Sequence, residues 1–357
     1  MNTNRNITTD IEISKLLKHF FYTFQRKREI LASQNCIMVP YNFYSVNEVN
    51  ICEKIKMIPY FCNKYNILYD YKIINASEMT ENNKIKIVDI NTKYLLLHYK
   101  RTKQIDFYDY LFQLKTVKKS IHFILDSLDE LLDNIKLLND HNICFFHLSE
   151  HKIIFNMDLG GKLMLKDFKH SLQISKLNEN YFSKMMDKIE DYTYKPLEVH
   201  VLFYLIRNNL ETLSETLIAQ MVDNYVRQLS VLSFFSQNYN TQFKIECIKC
   251  LKKYIDIPKK LIIEDIIEYN DKWDIYSISL LYLHIIGKIS QFFSLKDTFI
   301  NKLIILLNKN IQPDPSKREN IADTKEKYQQ LFIEYPDWSF INKLSNEKMK
   351  KLIEIIT

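Results

Sequence analysis

Phe145-Phe146-His147-Leu148-Ser149-Glu150-His151-Lys152-Ile153-Ile154-Phe155, followed by Lys162-Leu163-Met164-Leu165-Lys166-Asp167-Phe168, is the stretch whose reading decides the fold. Both segments are apolar runs of strand character, and Asp158-Leu159-Gly160-Gly161 lies between them. Two glycines after an aspartate supply the backbone freedom that a tight reversal needs. Phe145 to Phe155 and Lys162 to Phe168 are therefore expected to pair as two short strands. The run also carries titratable side chains at His147, His151, Lys152 and Asp167.

Working outward, the segment before it holds the clearest helix of the chain, Ser120 to Asn139. Ile121, Ile124, Leu125, Leu128, Leu131, Leu132, Ile135 and Leu138 recur at helical spacing and form one apolar stripe. Further upstream the spacing predicts a helix over 11–33 (Ile13, Leu16, Leu17, Phe20, Phe21, Phe24). A short strand follows from Cys36 to Val39, stopped by Pro40, and then a second helix from Val46 to Ile58. Ile67 to Ile74, Ile85 to Ile90 and Tyr94 to Tyr99 have strand character, with a polar turn from Ser77 to Lys84. From Ile105 the pattern is mostly helical. From Glu198 onward it is helical almost throughout, with Lys272 to Ile286 strongly apolar and Gly287 as its expected C-cap. Strands first and helices after, with no Pro/Gly/Ser linker and no repeat, indicate an α+β, two-lobed body.

Composition narrows the function classes. The chain has 357 residues, of which 46% are hydrophobic and 13% aromatic, enough to bury a large core. Lysine and arginine number 49 against 43 acidic residues, a mild excess of +6 with no Arg-rich run and no basic amphipathic stretch. That argues for no clear nucleic-acid partner. No apolar run reaches the ~18–20 residues of a bilayer span, and the polar segment Met1 to Asp10 does not have the pattern of a signal peptide. The six cysteines, at 36, 52, 62, 144, 247 and 250, are scattered. This suits free thiols in a reducing compartment. Cys247 and Cys250 lie in a helical-looking stretch without a second ligand pair at zinc spacing. Glycine occurs only at 160, 161 and 287. A phosphate-cradling loop needs glycines so that backbone N–H groups can approach the anion, and no segment before residue 160 has one.

The order of segments resembles the eukaryotic-type protein kinase fold, most closely the divergent kinase-like proteins of large DNA viruses. In kinases the catalytic loop runs H-R-D-L-x-x-x-N and an Asp-Phe-Gly follows. Here His147 stands at the base position, Lys152 at the asparagine position, and Asp167-Phe168-Lys169 at Asp-Phe-Gly. The resemblance makes Glu48 or Glu53 the glutamate of the αC-like helix and Tyr94 to Tyr99 the strand entering the adenine hinge, with Leu97 and Tyr99 as the adenine contacts. Lys195-Pro196-Leu197-Glu198 resembles Ala-Pro-Glu. Trp273-Asp274-Ile275-Tyr276-Ser277 resembles the start of the buried central helix, whose Asp274 steadies the catalytic loop. Pro313-Asp314-Pro315-Ser316-Lys317-Arg318 resembles Asp-Pro-x-x-Arg, which implies an Arg318–Glu198 pair. The implied organisation is an N-terminal extension over 1–33, a degenerate N-lobe over 34–100 and a C-lobe over 101–357. About 75 residues separate Glu198 from Trp273, an enlarged insert spanning roughly 204–263.

Phosphoryl transfer needs a lysine on the phosphates, Mg²⁺ ligands and a group that orients the acceptor hydroxyl. The strand before the αC-like helix ends in Pro40 and carries no lysine. An ammonium at Lys152 repels Mg²⁺ rather than coordinating it, and Asp167 alone remains as a metal ligand. The expectation is a pseudokinase-like binding or scaffold protein, in the host cytoplasm or the virion, acting through protein partners. It is expected to bind no cofactor, with ATP and Mg²⁺ only if residual nucleotide binding persists. The alternatives are an atypical serine/threonine kinase that uses ATP, and a structural virion component.

Overall fold

The computed structural model describes residues 34–75, 93–114, 116–186, 193–291, 298–335 and 347. The chain is α+β, with small sheets in its N-terminal half and helices in its C-terminal half. It divides into two units: Met1–Lys103 with Asp167–Lys169, and Gln104–Lys166 with His170–Thr357. The division falls three residues beyond the expected boundary at 100, and the Asp167 segment goes with the first unit. The expected helix over 11–33, the turn over 77–84 and the strand over 85–90 lie outside the described residues.

The first unit contains β1 (Gln34–Pro40), α1 (Phe43–Ile55), β2 (Leu68–Asn75) and β3 (Lys93–Lys100). The strands form an antiparallel sheet in the order β1–β3–β2, so β3 is central and Leu95, Leu96 and Leu97 are buried. Pro40 lacks an N–H and is accommodated at the end of β1, where it stands opposite Tyr94. The helix begins at Phe43, earlier than Val46, because Asn42 caps it. The Asn42 side chain accepts the Tyr44 and Ser45 N–H groups, and Ser45 Oγ accepts the Asn42 N–H in return.

The second unit opens with a short strand, β4 (Gln104–Asp106), before α2 (Phe107–Gln113). Ile105 is therefore not helical; it stands opposite Phe155 in the ladder. Next comes α3 (Val117–Asp140), with Thr116 Oγ1 accepting the Lys119 N–H at its start. None of its eight stripe residues is more than 3% exposed. The short strand β5 (Ile143–Cys144) pairs with β8 (Leu172–Gln173). Between them, β6 (Ile153–Asn156) and β7 (Lys162–Lys166) make the hairpin, turning through Gly160 and Gly161 at φ of +71° and +81°. The first arm is shorter than expected. Phe145 to Ser149 is not strand, because a buried carboxylate takes the N–H groups of Phe145 and Phe146 and leaves them unavailable to a ladder.

The helices that follow are α4 (Glu179–Met186), α5 (Leu197–Arg207), α6 (Glu215–Gln228), α7 (Gln237–Leu251), α8 (Lys259–Glu268), α9 (Trp273–Ser290), α10 (Phe299–Asn310) and α11 (Ile321–Glu334). The region expected as an insert holds the last turn of α5, all of α6 and α7, and the first half of α8. Cys247 and Cys250 lie on α7, and all six cysteines are free thiols. Gly287 does not cap a helix: α9 runs on to Ser290. A Cβ at Gly287 would stand 2.2 Å from Phe234 Cδ2, so the residue is a point of close packing. No helix among the described residues is long and apolar enough to cross a membrane.

Candidate functional site

The segment that starts at Phe145, in the second unit, is held by α9. Asp274, 1% exposed, accepts the Phe145 N–H at 2.8 Å and the Phe146 N–H at 2.7 Å. Burial pushes its carboxyl above the ordinary carboxylate value, and the two N–H groups, Cys144 and Lys195 act against that rise. Phe146 adopts the left-handed region at φ +63°. Its ring packs on Trp273 and Phe203. Lys195, also 1% exposed, donates to the Phe146 carbonyl and sets its ammonium 4.2 Å from the Phe146 ring. An acid and a base from distant segments thus fix both polar sides of one short stretch of backbone.

The side chains of His147 and Lys152 differ in exposure. His147 is half-buried, with its ring edge-on to His170 at 4.9 Å. Lys152 is 6% exposed, its ammonium 5.7 Å from the Phe145 ring. His151 projects into solvent near Glu150, while His147 stands against His170, so the two do not converge as a metal pair. Glu150 accepts from the Tyr194 hydroxyl at 3.2 Å, and the Tyr194 carbonyl accepts from Ser277 Oγ at 2.7 Å.

Glu198 and Arg318 meet, 120 positions apart in sequence. Arg318 donates from Nη1 to Glu198 Oε1 at 2.6 Å and from Nη2 to Oε2 at 2.9 Å, with side-chain exposures of 0% and 4%. Its Nε and Nη2 also donate to the Gln312 and Pro313 carbonyls, at 2.7 and 3.1 Å. Every donor direction of the fork but one is used, which suits a guanidinium sealed from water.

In the first unit, Asp167 adopts φ +63° and lies 3.2 Å from the ammonium of Lys169. Phe168 is fully buried and edge-on to Tyr65, and the Asn47 amide donates to the Lys169 carbonyl at 3.0 Å. Glu48, not Glu53, is the buried glutamate of α1. It accepts from the Tyr99 hydroxyl at 2.8 Å, whereas Glu53 is exposed and pairs with Lys56. Burial, with Glu48 beside it, pushes the Tyr99 hydroxyl well above its ordinary value. Leu97 and Tyr99, expected at the hinge, both lie on β3. Leu97 is 2% exposed in the sheet core, and both edges of β3 are paired through Tyr99, by β1 and by β2. A strand laddered on both sides has its backbone donors engaged by its neighbours. Lys195, His170 and the Tyr99–Glu48 bond are functional-site features that the sequence pattern did not signal; their partners lie 49, 23 and 51 residues away.

β1 carries no lysine, and Glu48 accepts from Tyr99. The Lys152 ammonium is buried, and Asp167 is paired with its own neighbour Lys169. No protein-family model matches the chain, and no curated protein matches it.

Proposed function

We propose that this chain has the two-lobed protein-kinase fold without phosphotransfer, and serves as a pseudokinase-like binding or scaffold module for protein partners. The observation that carries this reading is the Asp274 clamp on the Phe145–Phe146 backbone. It holds a catalytic-loop-like segment whose chemical positions carry His147 and Lys152. The buried Glu198–Arg318 pair supports it, since it joins the two motifs that the kinase resemblance couples. The resemblance to kinase-like proteins of large DNA viruses makes host cytoplasm or virion our proposed location.

The test is a thermal-shift titration with ATP, with and without Mg²⁺. Anything that binds the native state alone raises its melting temperature by mass action. The expected result is no metal-dependent rise at millimolar nucleotide. A clear Mg²⁺-dependent rise, together with phosphate transfer to a protein acceptor, would overturn the proposal in favour of an atypical serine/threonine kinase. Absence of any shift together with tight association with capsid proteins would move it to the structural virion class.

A further inference from the structure

Cys36, His98 and Asp70 form one row across the sheet of the first unit. They are register partners on β1, β3 and β2, so their side chains leave the same face. Cys36 Sγ and His98 Nδ1 are 2.9 Å apart. Burial raises the Cys36 thiol above its ordinary value. Burial also lowers His98, and the charge of Asp70 opposes that change. Both groups therefore rest neutral, and in the tautomer with the proton on Nε2 the Cys36 S–H donates to His98 Nδ1. This is a nucleophile whose proton already points at a base, with a carboxylate positioned to stabilise the imidazolium that forms when the proton moves. The remaining cysteines lack such a row. Cys52, Cys144 and Cys247 are buried, Cys250 lies against the Pro313 carbonyl, and Cys62 is exposed beside Asn63. Cys36 is half-buried, open enough for a small reagent.

We propose that Cys36 is a hydroperoxide-reactive thiol, with His98 as its base and Asp70 supporting His98. The Cys36 sulfur attacks the distal oxygen of the hydroperoxide, so that an S–O bond forms as the O–O bond breaks. The thiol proton passes to His98 Nδ1 and on to the departing alkoxide or hydroxide, which leaves as alcohol or water. Sulfur is oxidised by two electrons to the sulfenic acid and the peroxide is reduced by two. Neither a metal nor a further reductant enters this step.

The experiment treats the full-length protein with hydrogen peroxide, traps sulfenic acid with dimedone, and measures labelling of each cysteine by peptide mass spectrometry. Cys62 is the internal reference, because it is exposed but has no imidazole partner in the row. Cys36 is expected to label faster than Cys62 despite its lower exposure. His98→Gln is expected to slow Cys36 by about 10²-fold, the low end of general-base contributions, and to leave Cys62 unchanged. Asp70→Asn, at an exposed position, is expected to slow Cys36 to a lesser extent. Labelling of Cys36 slower than that of Cys62 in the wild type overturns the proposal. So does an unchanged Cys36 rate in a folded His98→Gln variant. Should His98→Gln fail to fold by circular dichroism, Asp70→Asn decides, and an unchanged rate there overturns the proposal equally.

Discussion

Removing the guanidinium of Arg318 is the most informative perturbation of the second unit. Arg318→Ala deletes two charge-assisted hydrogen bonds to Glu198 and one each to the Gln312 and Pro313 carbonyls. It leaves the Glu198 carboxylate, 4% exposed, without its counter-charge. It also removes a cation 5.0 Å from the Tyr276 ring. Stranding one partner of a buried pair costs about 3–5 kcal/mol, several times the loss expected for a surface pair. At ~3 °C per kcal/mol for a chain of this size, the melting temperature should fall by about 10 °C. Scanning calorimetry and urea unfolding of the purified variant read this directly. A double variant, Arg318→Met with Glu198→Leu, separates the cost of a stranded charge from the cost of lost shape. It should recover most of the loss, because a buried ion pair replaced whole by apolar side chains is often close to neutral. A single variant that melts within about 1 °C of wild type would refute the reasoning, since so small a shift is under ~0.5 kcal/mol.

Two further outcomes are expected. Asp274→Ala strands the Phe145 and Phe146 N–H groups and removes the buried negative charge that Lys195 acts on, so it should destabilise by about 3–5 kcal/mol, measurable by urea unfolding. An effect under ~1 kcal/mol would mean that the loop does not depend on this clamp. Glu319 is held below its ordinary value of 4.5 by Lys309 and then Lys327. A depressed folded-state value gives stability that is present above the unfolded value and lost as pH falls through the folded one. Melting temperatures of wild type should therefore drop more steeply below about pH 4.5 than those of Glu319→Gln. Parallel curves would count against the Lys309–Glu319–Lys327 cluster.

What the sequence makes legible follows the range of the interactions concerned. The stripe of α3 is readable because its cause is local: one residue every three or four positions must face the core. Gly160 and Gly161 are readable for the same reason, since the turn itself demands their φ values. The start of α1 is missed by three residues because the capping power of Asn42 outweighs the apolar spacing that begins at Val46. Phe145 to Leu148 has the composition of a strand, but Asp274, about 130 positions later, claims its N–H groups. Gly287 has the look of a C-cap, yet its cause is Phe234, a packing neighbour that no local pattern encodes. Arg318 and Glu198 are readable as partners only through the order of motifs, and Tyr99–Glu48 through nothing local at all.

The contrast between the clamped residues and the replaced ones has an energetic basis. Asp274, Glu198 and Arg318 are each at most 4% exposed and each joins two distant segments, so altering one strands its partner in a water-free interior. His147 is half-buried, and the Asp167 side chain keeps 32% exposure, so water can replace much of what a substitution removes there. On the proposed reading, a kinase-like fold freed from phosphoryl transfer can change the second group while the first stays bound by stability. His147→Gln and Asp167→Asn should then each shift stability by less than about 1 kcal/mol, with asparagine chosen because it tolerates the left-handed backbone at 167. In an assay with radiolabelled ATP and a generic protein acceptor, wild type and both variants should give the same background incorporation. An incorporation signal in wild type that either substitution abolishes would refute the loss of phosphotransfer, because neither side chain has the burial needed to act through the fold alone.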